Sequence, residues 1–225
     1  MSDLRLVIFD VDGTLVDSQG LIYQSFVMAY EGQGLTPPAR ATALRYVGIT
    51  LDAIFPMLSP ELDADVHATL AARYRDAYHE IRSAQGSAAT SPFFAGMRDV
   101  LDTLRAQDWT LLAVATGKSQ RGLDAMIADH GLGSYFQSAQ AADLHPSKPH
   151  PSMVMTCLAE TGVDAGAAVM IGDTTYDMDM GRAAGVKTIG VSWGHHPVDE
   201  LDADRIVHDV TALIPTIDEV LGVPA

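Results

Sequence analysis

The chain has 225 residues, enough for one large domain or two modest ones with a real core. Hydrophobic residues make up 48%, no apolar run is longer than a strand, and the single cysteine, Cys157, cannot form an internal disulfide; these features predict a soluble, cytoplasmic chain. A formal charge of −15, from 29 acidic against 14 basic residues, disfavours nucleic acid and anionic membranes as partners but leaves a small anionic substrate open.

The first predicted strand, Leu4–Phe9, ends abruptly in Asp10, Val11, Asp12, Gly13 and Thr14, with Asp17 close behind. The short apolar run stops at Asp10, which argues against a leader segment. Packing does not explain two carboxylates one residue apart at the end of a buried strand, so the explanation must be chemical.

Residues 18–84 read as helices. Ile22, Phe26 and Tyr30 recur every fourth residue, as do Leu62, Val66, Leu70, Tyr74 and Tyr78, giving one apolar stripe per helix. Ser59 before Pro60 has the form of a helix start. "SAATSPFF" (Ser87–Phe94) reads as a linker back to an α/β pattern: helix Met97–Ala106, strand Thr110–Ala115, helix Ser119–His130, helix Pro151–Glu160, strands Ala167–Ile171 and Lys187–Val191. About a hundred residues separate the first strand from the next, where a plain crossover unit needs roughly thirty in all. The organisation predicted is a core of residues 1–16 and 92–225 with a helical insert at 17–91.

In open α/β sheets, ligands bind beyond the carboxyl ends of the strands. The residues there are Asp10 and Asp12; "ATGKS" with Thr116, Gly117 and Ser119; "HPSKPHP" with Lys148; and "GDTTYD" with Asp173 and Asp177. Several carboxylates, a hydroxyl and a lysine on one rim suit a phosphate group and a hard cation such as Mg²⁺, whose preferred ligands are carboxylate oxygens. Two unit charges 4 Å apart interact by about 4 kcal/mol at an effective dielectric of 20, so a phosphate needs a metal and Lys148 to approach. Asp10 can then attack phosphorus, and Asp12 can protonate the leaving oxygen and later deprotonate water.

In this order the four segments resemble the haloacid dehalogenase superfamily of phosphohydrolases, in the branch with a helical cap after the first motif, similar to phosphoglycolate phosphatases and β-phosphoglucomutases. "DVDGTLVDS" matches the first motif, "ATGKS" the second, "SKPHP" the third and "GDTTYD" the fourth. The resemblance implies a Rossmann-like core with an inserted cap, Asp10 as nucleophile and Asp12 as acid and base. It further implies phosphate contacts from Thr116, Gly117 and Lys148. Mg²⁺ would be held by the Asp10 side chain, the Asp12 backbone carbonyl and Asp173, with Asp177 in support. Dehalogenases of the superfamily lack the second aspartate of the first motif, and Asp12 is present. The function expected is a phosphatase of a small phosphomonoester, phosphoglycolate-like or a sugar phosphate. A phosphomutase and a non-catalytic binding protein on the same fold are the alternatives, and the oligomeric state is left open.

Other residues have plainer readings. Thr174-x-x-Asp177 has capping-box spacing, so Asp177 can serve a helix start as well as a site. "GKS" lacks the glycine that a nucleotide-binding P-loop needs, since Leu112 stands there. That leaves Lys118 as a solvated helix-start residue and Ser119 as an N-cap. His195 and His196 read as polar loop residues. His145 and His150 flank Lys148 and are expected at an entrance, and Cys157 is expected as core filler. Arg45 in the insert is a candidate for binding a substrate carboxylate or second phosphate, although a surface position is the commoner fate of an arginine. The insert contains no lysine. Cleavage of carbon–phosphorus bonds through an imine on a cap lysine, as a related branch performs, is therefore not expected.

Overall fold

The computed structural model describes residues 4–222; positions 1–3 and 223–225 of the expected core lie outside the described residues. β1 (Arg5–Phe9) is buried at every position, as a strand covered on both faces must be. Its side chains alternate between two cores. Val7 and Phe9 pack with α6 (Met97–Arg105), α7 (Gln120–Asp129) and α10 (Leu213–Leu221) through Met97, Leu101, Leu123 and Ile217. Leu6 and Ile8 pack with α8 (Ser152–Thr161) and α9 (Thr175–Ala183) through Met153, Cys157 and Met180. This period of two makes one sheet the shared wall of both cores.

The remaining strands are β2 (Thr110–Thr116), β3 (Ser138–Ala141), β4 (Ala168–Gly172), β5 (Lys187–Val191) and β6 (Arg205–Val207). Their order is β3-β2-β1-β4-β5-β6 and every pairing is parallel, the doubly wound order of a Rossmann-type sheet. Phe9 stands beside Val114 on one side and Ile171 on the other. The register therefore brings the residues after β1, β2 and β4 to the same edge.

Between β1 and β2 lie α1 (Gln19–Glu31), α2 (Arg40–Leu44), α3 (Leu51–Leu58), α4 (Ala64–Gln85) and the single turn α5 (Ser87–Thr90). Helices α1 to α4 share a hydrophobic cluster of their own that includes Ile22, Phe26, Leu44, Phe55, Leu70 and Tyr74. The two connections to the sheet run side by side: Asp17 N donates to Pro92 O at 2.8 Å and Phe94 N donates to Leu15 O at 3.1 Å.

The start expected at Ser59–Pro60 is displaced. Ser59 closes α3, its N–H donating to Phe55 O, and its hydroxyl is engaged 2.9 Å from that of Tyr30. The next helix begins at Ala64 behind Asp63. No helix among the described residues is long and apolar enough to cross a membrane.

Candidate active site

Asp10 is the first residue past β1, held there by its N–H donating to Ile171 O at 2.9 Å, and it is 1% exposed. The chain then turns back at once through Gly13, whose φ of +85° belongs to the left-handed region. A Cβ on Gly13 would lie closer than 3.0 Å to Asp173 and to His195. Glycine there lets the loop after β1 lie against the loops after β4 and β5.

Lys148 enters this edge from the segment before α8. Its Nζ lies 2.9 Å from Asp10 Oδ1 and 2.7 Å from Asp177 Oδ1, with all three side chains buried. Asp177 divides its work between its two oxygens. Oδ2 accepts from the N–H and hydroxyl of Thr174 at 3.0 and 2.7 Å, completing the capping box of α9, while Oδ1 meets Lys148. One carboxylate thus caps the helix and anchors the lysine.

Asp173 follows β4 directly. Its Oδ1 accepts from Thr14 Oγ1 at 2.8 Å, and its Oδ2 accepts from both the backbone N–H and Nδ1–H of His195 at 2.8 Å. The His195 side chain is shut off from solvent, contrary to the polar-loop reading. His196 is buried too: its Nδ1 accepts from Thr175 N, and its Nε2–H donates to Arg45 O at 2.7 Å.

Electrostatics sort these groups. Burial raises the Asp10 carboxyl to about 7; the neighbouring Lys148 pulls the other way but does not cancel it. Burial alone would lower Lys148, but Asp10 and Asp177 overcome it and hold the ammonium protonated. Burial would also raise Asp173, and its hydrogen bonds from His195 reverse the sign, leaving the pKa lowered.

Asp12 points the other way. Its Oδ1 lies 2.7 Å from Lys118 Nζ and accepts from Ser18 Oγ. Lys118 is not solvated: its side chain is 7% exposed, and Nζ also donates to Tyr78 Oη at 2.8 Å. Ser119 caps α7 as expected, accepting from Gly122 N at 3.2 Å, but the lysine before it turns under the helical insert. Burial lowers the Lys118 pKa and the Asp12 and Tyr78 oxygens more than reverse this, so it stays a cation and offers no neutral amine for an imine.

Thr116, 1% exposed, accepts from Lys118 N at 3.3 Å, and Gly117 follows it. With Asp10, Asp12 and Lys118 they form the floor of a cavity of about 480 Å³ under the insert. Its roof includes Ile22, Phe26, Ile49, Ile54, Tyr74 and Tyr78.

Arg45 does not reach this space. Half-exposed, it pairs with Glu200 at 2.5 Å and is not among the residues lining the cavity, the surface position that the sequence favoured. His145 lines the cavity, bonded to Ser152 and Gln140, whereas His150 is exposed and away from it. Cys157 is filler between α8 and the sheet, its thiol pushed by burial up to about 12.

The family model for haloacid dehalogenase-like hydrolases matches residues 7–191. The chain belongs to this family. Among relatives, a Dickeya dadantii protein named probable phosphatase IndB is 36% identical over 96% of this chain and 92% of its own length. A phosphoglycolate phosphatase of Pseudomonas putida is 30% identical over 94% of this chain and 79% of its own. A solved haloacid dehalogenase-like hydrolase of Streptococcus pneumoniae shares the fold, with a TM-score of 0.82 at 23% identity over 96% of this chain and 99% of that one.

In this hydrolase the residues present fit a hard divalent cation. Carboxylate oxygens of Asp10, Asp173 and Asp177 lie within 4.8 Å of one another, all buried. Asp10 Oδ1 meets only the Lys148 ammonium, and Oδ2 accepts no hydrogen bond. A buried carboxylate oxygen left without one is costly unless another positive group completes its surroundings, and an all-oxygen donor set suits Mg²⁺.

Proposed function

We propose that this hydrolase is a Mg²⁺-dependent phosphatase of small phosphomonoesters that works through an aspartyl-phosphate on Asp10. Residues 17–91 would act as a cap over a core of 1–16 and 92–225. The observation that carries the reading is Asp10 itself: buried, paired only with Lys148 through Oδ1, and with Oδ2 unpartnered at the floor of a cavity under the insert.

In this reading a carboxylate oxygen of Asp10 forms a bond to phosphorus while the bond to the leaving alcohol oxygen breaks. Asp12 gives that oxygen a proton and then takes one from the water that releases phosphate. Lys148, with Thr116 and Gly117, holds the phosphoryl oxygens. The Asp10 and Asp173 side chains and the Asp12 backbone carbonyl would hold Mg²⁺, with Asp177 in support through Lys148. When bound, the ion offsets the charge of carboxylates and phosphate. The apolar roof would exclude water during the first transfer.

Phosphate release from a simple phosphomonoester with and without Mg²⁺ is the test, joined to intact-mass measurement. Asp10→Asn should abolish release and any phosphoryl adduct, whereas Asp12→Asn should retain adduct and turn over slowly. Folded Asp10→Asn protein with near-normal turnover would sink the reading.

A further inference from the structure

The cavity has a polar floor and an apolar side, and the lysine and arginine that line it are each paired with a carboxylate. Of the basic side chains that line it, Lys118 is committed to Asp12 and Tyr78, and Arg75 at the mouth pairs with Asp52 at 3.3 Å. Two histidines also line it, His79 and His145, and burial disfavours the charged form of each. Arg45 stands outside. Apart from Arg75, in its exposed pair with Asp52, no lysine or arginine among the described residues lines the space above the floor.

A carboxylate or a second phosphate seated against Ile22, Ile49 and Ile54 would be desolvated there without compensation. The same wall carries the rings of Phe26, Tyr74 and Tyr78, with Phe26 and Tyr74 only 4.7 Å apart between centroids. Aromatic walls gain from ring partners beyond the area they bury. The volume, about 480 Å³, lies in the range of roughly 300–1,000 Å³ typical of pockets for ligands of drug size. A two-carbon acid would occupy little of it.

We infer that the alcohol part of the substrate carries an uncharged ring, seated on the apolar wall of the insert, rather than a carboxylate or a second phosphate. This rests on the phosphatase reading for the chemistry, but the recognition it describes can be measured without turnover.

Binding of three phosphonates, which cannot be hydrolysed, should be compared by calorimetry with Mg²⁺ present: 2-phenylethylphosphonate, ethylphosphonate and phosphonoacetate. The ring-bearing compound should bind at least tenfold more tightly than either of the others. The matching phosphate esters, all with alkyl leaving groups, should follow the same order in kcat/KM. Ile49→Arg, which adds a cation to the wall, should shift the affinity ratio at least tenfold toward phosphonoacetate. If phosphonoacetate or ethylphosphonate binds the unaltered protein as well as the ring compound does, the inference is overturned whatever the enzyme hydrolyses. If the binding order holds and no ester is turned over, the inference stands and the phosphatase reading fails.

Discussion

Gly117, in the loop after β2, meets Gly48 of the helical insert so closely that no side chain fits between them. A Cβ on Gly117 would lie closer than 3.0 Å to both the carbonyl carbon and oxygen of Gly48. The insert therefore rests directly on a strand-end loop of the sheet. Thr50 N, two residues on, donates to Ser147 Oγ beside Lys148 at 3.0 Å. Gly117 is not among the glycines with positive φ, so alanine suits its backbone and conflicts only with the insert. Gly117→Ala should hold the cap off the core and lower kcat/KM by roughly 100-fold, the scale of a misplacement near 1 Å. Its Tm should stay within about 2–4 °C, what 1 kcal/mol produces in a chain of this size. Steady-state kinetics beside thermal melts decide it, and wild-type kcat/KM would show that this contact does not govern closure.

Binding of Mg²⁺ should depend on pH through Asp10. Burial raises this carboxyl to about 7, so in the metal-free protein it carries a proton below that value, and the metal must displace it. Affinity should be full above about pH 7 and weaken as pH falls, approaching about tenfold per unit for one proton. The sign for stability follows. A folded pKa above the unfolded value of about 3.9 means that Asp10 destabilises the metal-free fold increasingly as pH rises from about 4 to 7. Thermal shift with and without Mg²⁺ across that window is the measurement. Asp10→Asn should lose both the metal-induced rise in Tm and this pH dependence, and a rise retained in the variant would place the metal elsewhere.

The positions of Asp10, Thr116 and Asp173 on one rim were legible because each ends or follows a buried apolar run, and parallel register then leaves little freedom; Lys148 was legible from its place in the segment before α8. β3 and β6 were not. "SAQA" has no β-branched residue and "RIV" is three residues long, so their strand state comes from pairing with β2 and β5. The helix start at Ser59 failed for a related reason, since a hydroxyl that could cap locally is taken by Tyr30 across the cluster. Lys118 was misread because its surroundings come from Tyr78, forty residues earlier in the chain. His195 had a usable signal: it follows β5, on the same edge as the other loops, where a polar side chain faces the site rather than solvent.

His195 should matter to the metal through Asp173. Its two N–H groups hold Asp173 Oδ2, and partners that orient a ligating carboxylate commonly contribute 10–100-fold in metal affinity. His195→Phe keeps a ring and the backbone donor but removes Nδ1–H. Mg²⁺ affinity by calorimetry should fall by about 10-fold or more. His195→Asn, whose amide can occupy the place of Nδ1–H, should restore part of it. Equal loss in both variants would mean that packing, not the hydrogen bond, is what the site requires.

The pair of Lys118 and Asp12 should stabilise the core, with Tyr78 tying it to the insert. Nζ lies 2.7 Å from Asp12 Oδ1, and the ammonium stands 5.2 Å from the centre of the Tyr78 ring while donating to its hydroxyl. Lys118→Met would leave Asp12 with the Ser18 hydroxyl alone and should cost about 1–3 kcal/mol, the penalty for stranding a buried charged partner. Tyr78→Phe removes one hydrogen bond and keeps the ring, so it should cost only about 0.5–1.5 kcal/mol. Asp12→Asn takes away the charge that Lys118 answers. The double variant Asp12→Asn with Lys118→Met should therefore be less destabilised than the two single effects added together. Chemical denaturation of the four proteins gives that coupling directly. Additive losses would show that Lys118 is held by Tyr78 alone and that its approach to Asp12 carries no stability.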